Sequence, residues 1–263
     1  MLRWTNLKKV YLPDMRWPEA EKAFEETDIA ILAVGAIEQH GPHLPLAVDH
    51  IHASGIARRV AEKAGVILAP YIQFGYCPWN SDFPGNISIR YNVLANLVKD
   101  VCHSLIRHGT QKILIINGHG GNTGPLSLAA RQLKEETGAF FVISDWWTVM
   151  TEFARKEHKG HGGSHGVSLL LALTPDRSDL VDLNEAKKLQ PIKPLSNNII
   201  PKNESKSIFK SCTVEIPINT REISENGSLA TEPPIYATRQ EGEKILEIVV
   251  NYFVDLINEM RTL

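Results

Sequence analysis

A chain of 263 residues, 43% of them apolar and 22% charged, can bury a sizeable core and has the make-up of an ordinary globular protein. The net charge of −2, with Lys and Arg scattered along the chain, leaves no basic stripe to neutralise phosphates and argues against a nucleic-acid binder. Three cysteines, Cys77, Cys102 and Cys212, lie far apart and form no CxxC pair. That usage argues against a disulfide framework or a thiolate zinc site, and it fits a reducing cytoplasm.

The N-terminal stretch MLRWTNLKKVYLPDM carries no apolar core of signal-peptide length, and no apolar run is long enough to predict a membrane span. Asp28 to Ala36 is a nearly continuous apolar run ending in Gly, as expected of a buried parallel strand. His50 to Ala64 has helical spacing, with Ile51, Ile56, Val60 and Ala61 on one side, and Val66 to Ile72 reads as a second strand. Tyr91 to His108 is an amphipathic helix, and Lys112 to Asn117 is the next strand, followed at once by GHGGN. Gly124 to Thr137 reads as a helix and Ala139 to Asp145 as a strand. From Pro191 to Glu222 the pattern weakens into a long excursion rich in Pro, Asn, Ser and Lys, and a final helix over about Arg239 to Met260 is expected to close over the sheet.

Strand and helix thus alternate, which predicts an α/β fold with a mainly parallel sheet and helices on both faces, in a single domain spanning 1–263. Ligands bind such sheets beyond the carboxyl ends of the strands. Glu38-Gln39-His40 and Asn117-Gly118-His119 both fall just past a predicted strand, on the same edge. Carboxylate oxygen and imidazole nitrogen are ligands of zinc, manganese and iron, so Glu38, His40, Asp49 and His119 are candidate metal ligands. Each has a plainer reading as well. Asp49 can cap the helix that follows it, GHGG can form a tight turn or an anion nest, and His43 and His52 read as ordinary polar or supporting residues.

EQHGPHLPL followed by Asp49, then NGHGGN, resembles the creatininase (creatinine amidohydrolase) family of metal-dependent hydrolases. FPGNISI, Phe83 to Ile89, is similar to that family's FPGT segment, and SENGSLAT, Ser224 to Thr231, to its late Gly-containing loop. The resemblance covers about Asp28 to Gly242. It implies a three-layer α/β/α fold, often hexameric, with one or two divalent ions (Zn or Mn, with Fe as a further choice) at the sheet's carboxyl edge. By motif position, Glu38, Asp49 and His119 bind one ion, and His40 with a bridging Asp49 binds a second. The implied activity is cleavage of an amide-type C–N bond in a small polar substrate, a cyclic amide such as creatinine or a formamide, by metal-activated water. One relative instead cleaves a C–C bond in a cyclic diketone, so a polyol-ketone hydrolase and a non-catalytic metal-binding homologue stand as alternatives. Neither a nucleic acid nor a membrane is expected as a partner.

The chain departs from the family where carboxylates are usual. Gly121 stands where creatininase carries a Glu, and HGGSHGVS, His161 to Ser168, puts Ser164 and Gly166 where many relatives carry acids. A second ion held by His40 and Asp49 alone has too few ligands. Either one ion binds, or His165 enters as a replacement ligand, or catalysis is lost. His165 also reads as a polar residue opening the helix SLLLAL. His161 is the candidate proton shuttle, with an ordinary pKa near working pH. Trp146 and Trp147 are candidates for the substrate pocket or for core packing. A serine triad is a poor alternative, since no GxSxG elbow is present.

Overall fold

The computed structural model describes residues 9–154, 160–188 and 192–263. Residues 1–8 of the N-terminal stretch, and Pro191 at the head of the expected excursion, lie outside them. Helix α1 (Trp17–Glu26) leads into β1 (Ile29–Val34), α2 (Val48–Ala64), β2 (Ile67–Leu68), α3 (Tyr91–Arg107), β3 (Lys112–Asn117), α4 (Thr123–Thr137) and β4 (Phe140–Asp145). A short turn α5 (Trp146–Thr148) then runs into a π-helical turn, Val149–Phe153. After it come β5 (Gly160–His161), α6 (Ser164–Leu173), α7 (Leu183–Ala186), β6 (Ile199–Pro201), β7 (Lys206–Phe209), β8 (Cys212–Glu215), α8 (Thr220–Ile223), β9 (Leu229–Ala230) and α9 (Arg239–Met260).

The central sheet has the order β2-β1-β3-β4 and is parallel throughout. Its strands are apolar on both faces because both faces are covered. In β1, Ile29, Ile31 and Ala33 pack with α2, α6 and α9, through Ile56, Leu169, Val249 and Phe253. The alternate residues Ala30, Leu32 and Val34 pack with α3 and α4, through Leu94, Val98, Leu126 and Leu133. This period-2 split produces the three layers, and each large side chain so buried contributes about 1.5–3 kcal/mol. The final helix does close over the sheet.

Element ends follow local chemistry. Gly65 and Gly138 end α2 and α4 with φ of 68° and 76°, the left-handed geometry that glycine adopts without penalty. The expected strand Val66 to Ile72 pairs regularly only at Ile67–Leu68: Ala69 donates to the Ile31 carbonyl at 2.9 Å, and Ile72 rather than Tyr71 reaches the next acceptor, so the stretch around Pro70 carries one extra residue. Ile72 still donates to the Ala33 carbonyl at 3.0 Å, so the chain follows β1 onward. The excursion is not structureless: β6, β7 and β8 form a three-stranded antiparallel sheet within it.

Candidate metal centre at the carboxyl edge of the sheet

Three chain crossings converge where β1 and β3 end. Val34 and Asn117 are in register, so the residues just beyond them, Glu38 to His40 and His119, emerge side by side. The first turn of α2 is packed directly on these strand ends. A Cβ on Gly118 would lie 2.3 Å from the Asp49 carbonyl oxygen, and one on Gly35 would lie 2.4 Å from His50 Cα. Glycine at both positions lets α2 come close enough to present Asp49. Asp49 makes no capping bond; α2 starts at Val48, and its N-cap Ala47 has no side-chain acceptor.

Glu38, His40, Asp49 and His119 are all buried and face one another. His119 Nδ1 lies 3.0 Å from Glu38 Oε1 and 3.1 Å from Asp49 Oδ2. His40 Nε2 lies 3.0 Å from Asp49 Oδ1, so the two oxygens of Asp49 look towards two different histidines. Each histidine spends its other nitrogen on a backbone carbonyl: His119 Nε2 on Tyr76 at 3.0 Å, His40 Nδ1 on Glu38 at 3.3 Å. Such bonds fix the tautomer and aim the remaining lone pair inwards, as around a metal. Asn80 Nδ2 donates to Glu38 Oε2 at 2.9 Å and leaves Oε1 for the cluster.

The electrostatics are those of a cation site. Burial pushes His119 down, but Glu38 and Asp49 outweigh it and hold the imidazole well above its ordinary value. Burial likewise raises Asp49, and the His40 and His119 charges overcome that and hold it well below the usual carboxylate range. With Nε2–H given to Tyr76, a neutral His119 would aim a lone pair at two carboxylate oxygens. Asp49 Oδ2 is buried and has no hydrogen-bond partner. The cluster therefore needs either an extra proton or a cation, and its N/O donor set fits a divalent transition ion.

His161 joins this cluster. β5 pairs antiparallel with β9, setting His161 opposite Leu229 of the SENGSLAT loop. His161 Nε2 donates to the Gln39 carbonyl at 2.7 Å, and Nδ1 faces Glu38 Oε1 at 3.6 Å. Its ring stacks on His40 with centroids 3.9 Å apart. Burial, aided by His40, lowers its pKa to about 4. The FPGNISI segment supports the same region, with Ile87 donating to the Ile37 carbonyl at 2.9 Å.

A cavity of about 810 Å³ opens over the cluster, and both Trp146 and Trp147 line it. Trp146 is also part of the core and meets His52 edge-on at 5.1 Å, so it both packs and lines. His165 does not line the cavity, although its neighbour Gly166 does. His43 is buried and bonded to the Gly162 carbonyl at 2.9 Å, away from the cluster. His52 bonds to the Gly166 carbonyl at 3.0 Å and lines the cavity.

Three residues near the site carry no signal that spacing reveals. Asn80 orients Glu38 and accepts from Gln39 Nε2 at 2.9 Å. Cys77 lies beside Glu38 and His119, and burial pushes its thiol up to about 12. Glu204, on the turn between β6 and β7, lines the cavity, and burial together with Glu38 raises its carboxyl to about 7.

A buried carboxylate–histidine cluster at the carboxyl edge of a parallel three-layer α/β sheet is the architecture of a metal-dependent hydrolase. Residues 13–257 match the family model for creatininase, described as creatinine amidohydrolase, and the chain belongs to that family. It is 30% identical to the creatinine amidohydrolase of Pseudomonas putida over 96% of this chain and 97% of the relative. It is also 30% identical to the mycofactocin precursor peptide peptidase of Mycolicibacterium smegmatis, over 87% of this chain and 84% of the relative. A crystal structure of creatinine amidohydrolase superimposes with a TM-score of 0.76 at 28% identity, covering 96% of this chain and 98% of the other. Two further creatininase structures, one with Mn and one mutant of Zn–Zn type, reach TM-scores of 0.74 at 28% identity. Among the described residues, no helix is long and apolar enough to cross a membrane.

Proposed function

We propose that the whole chain acts as one metal-dependent amidohydrolase domain, cleaving an amide-type C–N bond in a small polar substrate. The observation that carries this reading is that one buried histidine nitrogen, His119 Nδ1, lies 3.0 Å from Glu38 Oε1 and 3.1 Å from Asp49 Oδ2. Glu38, Asp49 and His119 would hold a first ion, and His40, which faces the other oxygen of Asp49, would help to hold a second. A bound Zn or Mn lowers the pKa of water and polarises the scissile carbonyl. The cavity volume of about 810 Å³ suits a small molecule or the end of a peptide.

The chain's own residues supply the rest. Trp146 and Trp147 form an apolar wall against which a flat amide group can lie. A shuttle role for His161 requires Nδ1 to take and give a proton, because Nε2 is committed to Gln39. A ligand role needs the same lone pair, and the stack on His40 favours it. Glu204 then serves as the proton carrier: it lines the cavity, and its carboxyl, raised to about 7, can both hold and release a proton at working pH. The hexamer expected from the family and the cytoplasmic setting expected from the cysteine usage belong to the same proposal, and light scattering on the purified protein checks the first.

The test is hydrolysis of creatinine, of formamides and of short peptides, with and without chelator. Chelation is expected to abolish turnover, Zn or Mn to restore it, and Asp49→Asn to lower it about 100-fold or more. Turnover indifferent to both chelator and Asp49→Asn would overturn the proposal.

A further inference from the structure

The family's usual carboxylates for a second ion are absent from this chain, and at Gly121 the loss is built into the structure. A Cβ there would lie 2.1 Å from the Tyr76 carbonyl oxygen and 2.5 Å from His119 Nε2, so no side chain fits. Ser164 and Gly166 offer no carboxylate either. Two ligands from His40 and Asp49 leave a second ion short of the three protein ligands typical of a catalytic site.

We infer that His161 is the missing ligand, one that would hold a second divalent ion through Nδ1 together with His40 and Glu38. This rests on the metal-dependent reading above. The ligand atoms of Glu38, His40 and His161 all lie within 4.8 Å of one another. His161 Nε2 donates to the Gln39 carbonyl at 2.7 Å, so Nδ1 is the bare nitrogen, and it faces Glu38 Oε1 at 3.6 Å. Two lone-pair atoms at that separation form no hydrogen bond; a cation between them turns the contact from repulsive to attractive. The ring of His161 lies nearly parallel to that of His40, at 3.9 Å and 22°, so the two imidazoles present neighbouring edges to one region.

The backbone holds this arrangement in place. His161 is paired with Leu229 across β5 and β9, and Gly163 donates to the Gly160 carbonyl at 3.0 Å to close the turn behind it. Gln39, which anchors the ring, sits between the ligands Glu38 and His40. One loop thus supplies a ligand to each ion and the carbonyl that aims His161. The result is a set of two histidines and one carboxylate, open on the cavity side, a donor set that suits zinc with a water or substrate in the remaining position.

The experiment is metal content per chain by elemental mass spectrometry, after reconstitution with Zn and removal of the excess, on wild type, His161→Ala, His161→Gln and His165→Ala. Zn titration followed calorimetrically gives the second binding constant. The expected result is about two ions in wild type and in His165→Ala, and about one in either His161 variant, with second-site binding weakened about tenfold or more. The Gln variant keeps the side-chain volume, so a folded protein is available even where Ala disturbs β5. Two ions retained in a folded His161 variant overturns the inference. So does a single ion in wild type, which leaves the first site standing, whereas no ion in wild type overturns the metal-dependent reading as well.

Discussion

A Cβ at Gly121 would meet the Tyr76 carbonyl oxygen at 2.1 Å and the Trp79 ring at 2.6 Å, whereas one at Gly166 meets only His52 Cε1, at 3.7 Å. These two of the positions that lack a carboxylate therefore differ in kind: one is filled by neighbours, the other is open. Gly121→Ala is expected to displace His119, lowering stability by about 1–3 kcal/mol and weakening the first metal site. Gly166→Ala should leave both close to wild type; thermal unfolding with parallel metal analysis separates the two. Glu204 makes a different prediction. Folding raises its pKa from 4.5 to about 7, so the stability it contributes is fully present below pH 4.5 and is lost as pH rises through about 7. Glu204→Gln removes that loss. Its Tm should exceed that of wild type by a few degrees at pH 8 and match it near pH 4.5, while turnover falls and metal content is unchanged. Equal Tm values at pH 8 would mean that the half-buried Glu204 carboxyl is not held above its ordinary value. Neither Asn80 nor Glu204 stands out in the sequence, because each is a lone polar residue whose role depends on contacts 41 positions away or more, as for Asn80 with Gln39. Glu38, His40 and His119 could be placed on one edge from the sequence because motif residues follow predicted strand ends there, whereas Asp49 was singled out by its motif at the start of a helix.

At the scale of elements, the site depends on how closely α2 rides on the ends of β1 and β3. Gly118→Ala places a methyl 2.3 Å from the Asp49 carbonyl oxygen, a backbone atom that cannot swing aside. Either α2 moves out, taking Asp49 from His119, or β3 is cut short. The expected outcome is a loss of about 2 kcal/mol or more together with loss of bound metal. A variant with wild-type metal content would show that the packing is softer than it looks. The parallel strands were legible because burial on both faces leaves uninterrupted apolar runs such as Ile29–Val34. β6, β7 and β8 were not, because they are three or four residues long and mostly exposed, and so carry no alternation. α1 is similar, with Ala23 its one buried residue. Yet the turn between β6 and β7 brings Glu204 to the cavity, so an unreadable segment completes a readable site.

For the whole molecule, a divalent ion that binds the folded chain and not the unfolded one couples metal to stability. At about 100 times its dissociation constant it adds about 2.7 kcal/mol, which raises Tm by roughly 5–10 °C. Chelation should reverse the shift, and Asp49→Ala should remove it. The measurement that tests the metal-dependent reading most directly is anomalous diffraction at the Zn and Mn edges, from crystals of protein purified without chelator and soaked in each ion. The expected result is one peak bounded by Glu38, Asp49 and His119 and a second beside His40 and His161. A map with no anomalous peak at the cluster, and with His119 bonded directly to both carboxylates, would contradict it.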